Sequence, residues 1–260
     1  MSSAGGEWPS YSLVQTLSYG TAPEQVGDLY LPGRQDPPLV CLFHGGFWRM
    51  PYGRDQLDAI SADLCAAGIA VWNLGYRRIG TEGHPWPATL EDVTAALAYL
   101  AQLQQTHRKL HGARLSLVGH SAGGHLAFWG AARAHRVAPA LTVSAAIGLA
   151  PLLDLEAAFA AGLGNGAVAQ FLGGSPETVP DRYRLASPAA QLPLGVRQYI
   201  LHGDMDDVVP PHFSRAYVAA AQTAGSVVTY VELGGTGHMD FVDPTTAAYQ
   251  RLRGLLLSTA

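Results

Sequence analysis

Residues 115–128 read Leu-Ser-Leu-Val-Gly-His-Ser-Ala-Gly-Gly-His-Leu-Ala-Phe. The run Leu115–Val118 has the length and apolarity of a short strand buried on both faces. From Ala122 to Arg133 the pattern is helical. Between them stands Gly119-His120-Ser121-Ala122-Gly123, which puts Ser121 at the tip of a strand-to-helix turn. Glycines two before and two after leave room for a turn tight enough to strain the serine backbone. The helix that follows aims its N-terminal N–H groups at the same point, where they favour developing negative charge. Only three positions of such a pattern are fixed, so its strand–turn–helix setting carries the argument. Ser121 in that setting is a candidate nucleophile.

Around this stretch the chain alternates strand and helix. Leu39–Phe43 and Ile69–Leu74 read as buried strands, with a helical segment from Asp55 to Ala67 between them that stops at Gly68. Thr89 opens a long helix, with Asp92 three residues on as its capping partner. After the central stretch come strands at Val143–Leu149, Arg197–Leu201 and Val227–Leu233. Helices at about 211–224 and 245–257 complete the series. Leu13–Tyr19 and Val26–Leu31 alternate as an opening hairpin at a sheet edge. The expected fold is therefore α/β, a mostly parallel central sheet with helices on both faces. Residues 152–194 break the rhythm. They are rich in Ala, Gly and Pro, with one helical piece at Leu155–Ala161, and are too long for an ordinary connection. We expect a small cap insertion there, within a single domain spanning 1–260.

Composition agrees with one folded domain. The 260 residues are 48% apolar and 14% charged, with a net charge of −4. No basic run exists, so nucleic acid is not an expected partner. The longest uncharged run, between Arg136 and Asp154, carries Pro139, Thr142, Ser144, Gly148 and Pro151, which suits a strand and its turns and not a membrane span. Met1–Ser10 lacks the pattern of a secretory signal. Cys41 and Cys65 fall in strand-like and helix-like segments and read as reduced core thiols of a cytoplasmic protein.

A serine nucleophile needs an oxyanion hole, a base and an orienting acid. His44-Gly45-Gly46-Phe47-Trp48 follows the strand 39–43, where backbone amides can approach a substrate without a Cβ in the way. The hole is expected from Gly45, Gly46, Phe47 and Ala122, with Gly46 and Phe47 as the loop's donors. His44 reads as a loop brace and Trp48 as packing beneath the loop. Downstream, the segment His202 to Pro210 follows a strand and holds Asp204, Asp206 and Asp207. Gly237-His238-Met239-Asp240-Phe241 lies in a glycine-rich loop after the last strand. The order serine, acid, base gives Ser121, one of the three aspartates, and His238. Asp206 has the favoured spacing, Asp204 reads as a turn brace and Asp207 as a cap. Phe47, Trp86, Phe159 and Phe171 are candidates for lining a substrate pocket. Ten histidines show no ligand spacing, so no metal and no cofactor is expected.

These motifs resemble a known group of α/β-hydrolases. The loop His44–Trp48 is similar to the HGGxW loop of kynurenine formamidase-like and related small esterase families, and Gly119–Gly124 to their elbow. Tyr76-Arg77, Pro85-Trp86-Pro87-Ala88 and Leu90-Glu91-Asp92-Val93 resemble the stretch between those two motifs, which hormone-sensitive-lipase-like esterases share. Those lipase-like enzymes carry a third glycine where this chain has Phe47, and an acidic residue where it has His120. The resemblance therefore points to the HGGxW group. It implies hydrolysis of a small carboxylic ester, or of an N-formyl aromatic amide as in arylformamidases, with Ser121, Asp206 and His238 as the triad. A reading of another class is a non-catalytic ligand-binding protein of this fold. Such proteins commonly lose a triad member, and this sequence retains all three.

Overall fold

The computed structural model describes residues 13–82 and 85–259. The N-terminal stretch Met1–Ser10 lies outside them. In chain order the strands are β1 (Leu13–Ser18), β2 (Val26–Leu31), β3 (Leu39–Phe43), β4 (Ala70–Leu74), β5 (Leu115–His120), β6 (Val143–Leu149), β7 (Arg197–Gly203) and β8 (Val228–Leu233). The helices are α1 (Asp58–Ala66), α2 (Pro85–Thr106), α3 (Ala122–Ala131), α4 (Ala134–Val137), α5 (Leu155–Ala160), α6 (Leu163–Leu172), α7 (Pro180–Ala186), α8 (His212–Thr223) and α9 (Ala247–Thr259).

The strands form one sheet in the order β1-β2-β4-β3-β5-β6-β7-β8. Strand β2 is antiparallel to β1 and β4; all other neighbours are parallel. This is the mostly parallel α/β sheet that the alternation predicts. Its central strands are mostly apolar because both faces are covered. On β3, Leu39, Cys41 and Phe43 enter the core shared with α2, α3, α8 and the segment α5–α7. Val40 and Leu42 enter the opposite core, shared with α1 and α9. The period-two pleat thus feeds two hydrophobic layers from one short sequence.

Parallel strands bring all their carboxyl ends to one edge of the sheet, and the site-bearing loops emerge there. The elbow follows β5, the His44 loop follows β3, the three aspartates follow β7 and His238 follows β8. Residues between β6 and β7 form α5, α6 and α7. Of these only a helix near 155–161 is expected from periodicity. Helix α6 begins in left-handed backbone, with Gly164, Asn165 and Gly166 at φ 61°, 51° and 75°. A stretch written Gly-Leu-Gly-Asn-Gly carries no helical period, so packing and not propensity sets it.

One local expectation fails. Asp92 does not cap the helix. Its carboxylate takes the Arg77 backbone N–H at 2.8 Å, the Arg77 guanidinium at 2.5 Å and the Gln25 amide at 2.7 Å. Helix α2 starts earlier than Thr89, and Thr89 Oγ1 donates to the Arg77 carbonyl. A fully buried carboxylate is worth more to an arginine fifteen positions away than to its own helix end.

Candidate active site

Ser121 occupies the turn between β5 and α3 with φ 55° and ψ −120°. A non-glycine residue seldom adopts this region, and it persists only where the surroundings enforce it. Ser121 N–H donates to the Leu149 carbonyl at 2.8 Å, and its own carbonyl accepts from Gly124 and Leu152. A Cβ on Gly119 would collide with the Gly123 carbonyl, and one on Gly123 with the Phe43 carbonyl. The glycine spacing is thus imposed by strand and helix backbones in contact.

The acid and base candidates converge. His238 Nδ1–H donates to Asp206 Oδ2 at 2.6 Å, both side chains being buried. The other oxygen, Oδ1, accepts the backbone N–H groups of Val208 at 2.9 Å and Val209 at 2.8 Å. A second histidine, His202, stands 3.2 Å from Asp206 Oδ2 through Nε2. That same Nε2–H donates to the Val209 carbonyl at 2.7 Å, and His202 Nδ1 accepts from Ser214 Oγ at 2.7 Å. Burial alone would raise the Asp206 pKa. The bonds from His202 and His238 outweigh it and hold the carboxyl well below its ordinary value. With Nδ1 committed to an anion, His238 keeps Nε2 as an acceptor, the tautomer a general base requires.

His120 ties this pair to the elbow. Its Nε2–H donates to the His238 carbonyl at 2.9 Å, and the two rings lie 4.6 Å apart. Burial pushes the His120 pKa down to about 3, so the ring is neutral at physiological pH. Asp204 and Asp207 are exposed. Asp204 Oδ1 accepts the Gly235 N–H at 2.6 Å and braces the facing loop. Only Asp206 of the three reaches His238.

The loop after β3 turns through left-handed backbone at three successive residues: Gly46, Phe47 and Trp48 have φ 98°, 50° and 54°. Gly45 abuts the elbow, since a Cβ there would stand 3.2 Å from Ser121 Cβ. Ala122 is the first residue of α3, where a helix leaves its N–H groups without intrahelical acceptors. His44 Nδ1–H donates to the Gly45 carbonyl at 2.8 Å, its ring stacks on Tyr76 at 4.2 Å, and burial pushes its pKa down to about 3. Trp48 is fully buried and donates through Nε1 to His125 Nδ1 at 3.2 Å.

The pocket candidates separate. Phe47 is half-buried, with its ring against Gly164 of α6. Phe171 is fully buried and stacks on Trp48 at 4.6 Å, so it packs under the loop. Phe159 packs edge-on against Tyr183, 6.0 Å away, within the α5–α7 layer. Trp86 lines a groove of about 430 Å³ with Pro87, Leu90, Trp129 and Leu185. Trp129 lies eight residues along α3 from Ser121, roughly 12 Å at the helical rise, so that wall of the groove stands apart from the elbow. Aromatic character marked all four residues, but it cannot distinguish a pocket wall from a core.

One residue against Asp206, His202, carries no functional signal in the local sequence. His44, His120 and His202 each stand at or beside the end of a parallel strand. That recurrence, a polar ring closing an apolar run, is a signal that could have marked His202.

A family model described as BD-FAE matches residues 28–220. A kynurenine formamidase of Danio rerio is 27% identical over an alignment of 270 positions that covers 95% of this chain and 82% of that protein. An acetyl-hydrolase of Streptomyces hygroscopicus is 30% identical over 214 positions, 77% of this chain and 67% of that protein. A truncated carbohydrate esterase from gut microbiota superposes with a TM-score of 0.80 at 22% identity, covering 96% of this chain and 97% of that one. Carboxyl esterase 2 of Tuber melanosporum gives 0.75 at 19% identity, covering 95% and 86%. At such identities these two structures speak for the fold.

Proposed function

This chain belongs to the BD-FAE family, and from that premise we propose that it is a serine hydrolase cleaving small carboxylic esters through an acyl-enzyme. Ser121 Oγ attacks the ester carbonyl while His238 Nε2 takes its proton. The oxyanion receives hydrogen bonds from Ala122 and from the Gly45–Phe47 loop, with Gly46 and Phe47 as donors. Loss of one such donor costs about 2.7–4 kcal/mol of transition-state stabilisation. His238 returns its proton to the departing alcohol. Water then attacks the acyl-enzyme by the same route, freeing the acid and Ser121. Asp206 holds the ring of His238 and offsets its charge when protonated.

The observation that carries this reading is the 2.6 Å bond from His238 to Asp206, made in a loop tied to the elbow through His120. The acetyl-hydrolase relative supports a small acyl group. The kynurenine formamidase relative covers nearly the whole chain and favours a second reading, arylformamidase chemistry by the same machinery with a formyl group transferred. We read the chain as one domain, with α5–α7 as the cap over residues 152–194. No helix of the described residues is long and apolar enough to cross a membrane. Cys41 and Cys65 are free and buried, which supports a reducing, cytoplasmic setting.

The deciding experiment compares kcat/KM on p-nitrophenyl acetate, butyrate and octanoate with that on N-formyl-L-kynurenine. We expect the shortest esters to turn over fastest. Rapid formamide turnover with poor turnover of every ester would reverse the order of the two readings.

A further inference from the structure

We propose that helix α6 is a working part of the oxyanion hole, and that Arg49 is the positioning residue that locks it there. The inference rests on the hydrolase reading above.

The loop needs an external support. Phe47 and Trp48 both hold positive φ, a region that L-residues with a Cβ avoid. The loop is held by short bonds: Arg49 N–H to the Gly46 carbonyl, Ile79 N–H to the Trp48 carbonyl at 2.7 Å, and Met50 N–H to the Ile79 carbonyl at 2.9 Å. The first of these closes a turn with Phe47 and Trp48 at its centre, and the other two anchor its far end; one turn bond is all that the backbone sets against two residues with a Cβ at positive φ.

Three successive residues dock the loop onto α6. The Phe47 ring fills the space where a side chain at Gly164 would stand, since a Cβ there would be 2.5 Å from Phe47 Cδ1. Trp48 stacks on Phe171 at 4.6 Å with the rings 12° from parallel. Arg49 then spreads its guanidinium across the start and middle of α6. Its Nη1 donates to the Gly164 carbonyl at 2.6 Å, and Nη2 to the Asn165 carbonyl at 3.2 Å. Gln170 Oε1 receives Nε at 3.0 Å and Nη2 at 2.8 Å. Among the described residues no carboxylate pairs with Arg49. Its planar fork is given wholly to neutral acceptors of the cap, an arrangement that an ammonium cannot reproduce.

The left-handed start of α6 belongs to the same device. Gly164 and Asn165 present their carbonyls to Arg49 from backbone at φ 61° and 51°. Strained backbone on the loop thus meets strained backbone on the cap, with Arg49 and the Phe47 ring between them. If the cap lifts, the loop loses what holds its conformation, and the amides lose their aim. Catalysis tolerates little misplacement of this kind.

The test is steady-state kinetics on the short ester, with a boronic acid that adopts the tetrahedral form at a serine as a second probe. For Arg49→Met we expect kcat to fall roughly 30- to 100-fold, less than the 10²–10³-fold for outright loss of a donor, with KM changed by less than about 3-fold. Boronate affinity should fall by a similar factor, and Arg49→Lys should recover only part of kcat. Melting temperature should move little, because Arg49 is partly exposed. Gly164→Ala approaches the same contact from the cap and should lower kcat without adding its full effect to that of Arg49→Met. A purely structural arginine would instead lower melting temperature and leave kcat of the folded fraction intact. That result, or wild-type kcat and boronate affinity in Arg49→Met, overturns the assignment. An unaltered protein that turns over neither ester nor formamide overturns the hydrolase reading and this inference with it.

Discussion

The two sides of Ser121 are built on opposite principles. On the acid–base side, Asp206 is buried, ionised and held by near neighbours in sequence: Val208, Val209 and His202 lie within four residues, and only His238 comes from afar. On the proposed oxyanion side the material is mostly aromatic, with the Arg49 guanidinium bound to neutral acceptors. His44, His120 and His125 are uncharged rings, Trp48 lies between His125 and Phe171, and the supports come from α6, more than a hundred residues away. Charge held locally aims the base. Aromatic packing and the Arg49 guanidinium, which reaches only neutral acceptors on α6, gather the loop from a distance. Loss of the anion should show first in rate, and loss of the buried Trp48 ring in rate and stability together.

The largest effect should come from Asp206→Asn. It removes the anion that sets the His238 tautomer, so kcat should fall about 10⁴-fold, and the thermal midpoint should fall as well, because His238 and His202 lose their buried carboxylate. A variant within tenfold of full activity would move the acid elsewhere. Next is Trp48→Ala. Deleting a fully buried Trp typically costs about 3–5 kcal/mol, and here it also removes the ring that joins loop to cap. Denaturant unfolding and kinetics should both deteriorate; undiminished stability would break the contrast between the two sides.

A graded effect should appear with pH. Burial lowers the pKa of His44 and His120 to about 3 and that of His125 to about 4, from an ordinary 6.5. Below 6.5 the unfolded chain takes up protons that the folded chain refuses. Stability must therefore fall as pH falls from 6.5 towards 4, with a limiting slope of about 1.4 kcal/mol per pH unit for each histidine. Asp206, whose pKa is depressed, adds a loss in the same direction at lower pH. Urea midpoints between pH 7.5 and 4.5 measure the histidine effect, and a flat profile would contradict it. The smallest effect belongs to Asp204→Asn. The amide keeps an oxygen for the Gly235 N–H, so activity should stay within about threefold and stability within about 1 kcal/mol.

The same contrast explains what the sequence made legible. The elbow, the strand order in the chain and the Ser-acid-base series are written in local spacing, and the three competing aspartates narrowed to Asp206 once its reach to His238 was visible. Arg49 has no local signature, because its partners are carbonyls and an amide of a segment that reads as loop. Phe171 carries the same apolar signal whether it lines a pocket or lies under Trp48. Asp92 sits three residues after Thr89 as a cap should, yet Arg77 claims it. In each case the deciding partner lies beyond the window that periodicity can see.

The central claim is that Ser121 is the nucleophile, and covalent labelling tests it most directly. After incubation with a fluorophosphonate, intact mass should show one adduct per chain, mapped to the peptide holding Ser121 and absent from Ser121→Ala. No adduct, or one that persists in Ser121→Ala, would contradict the account.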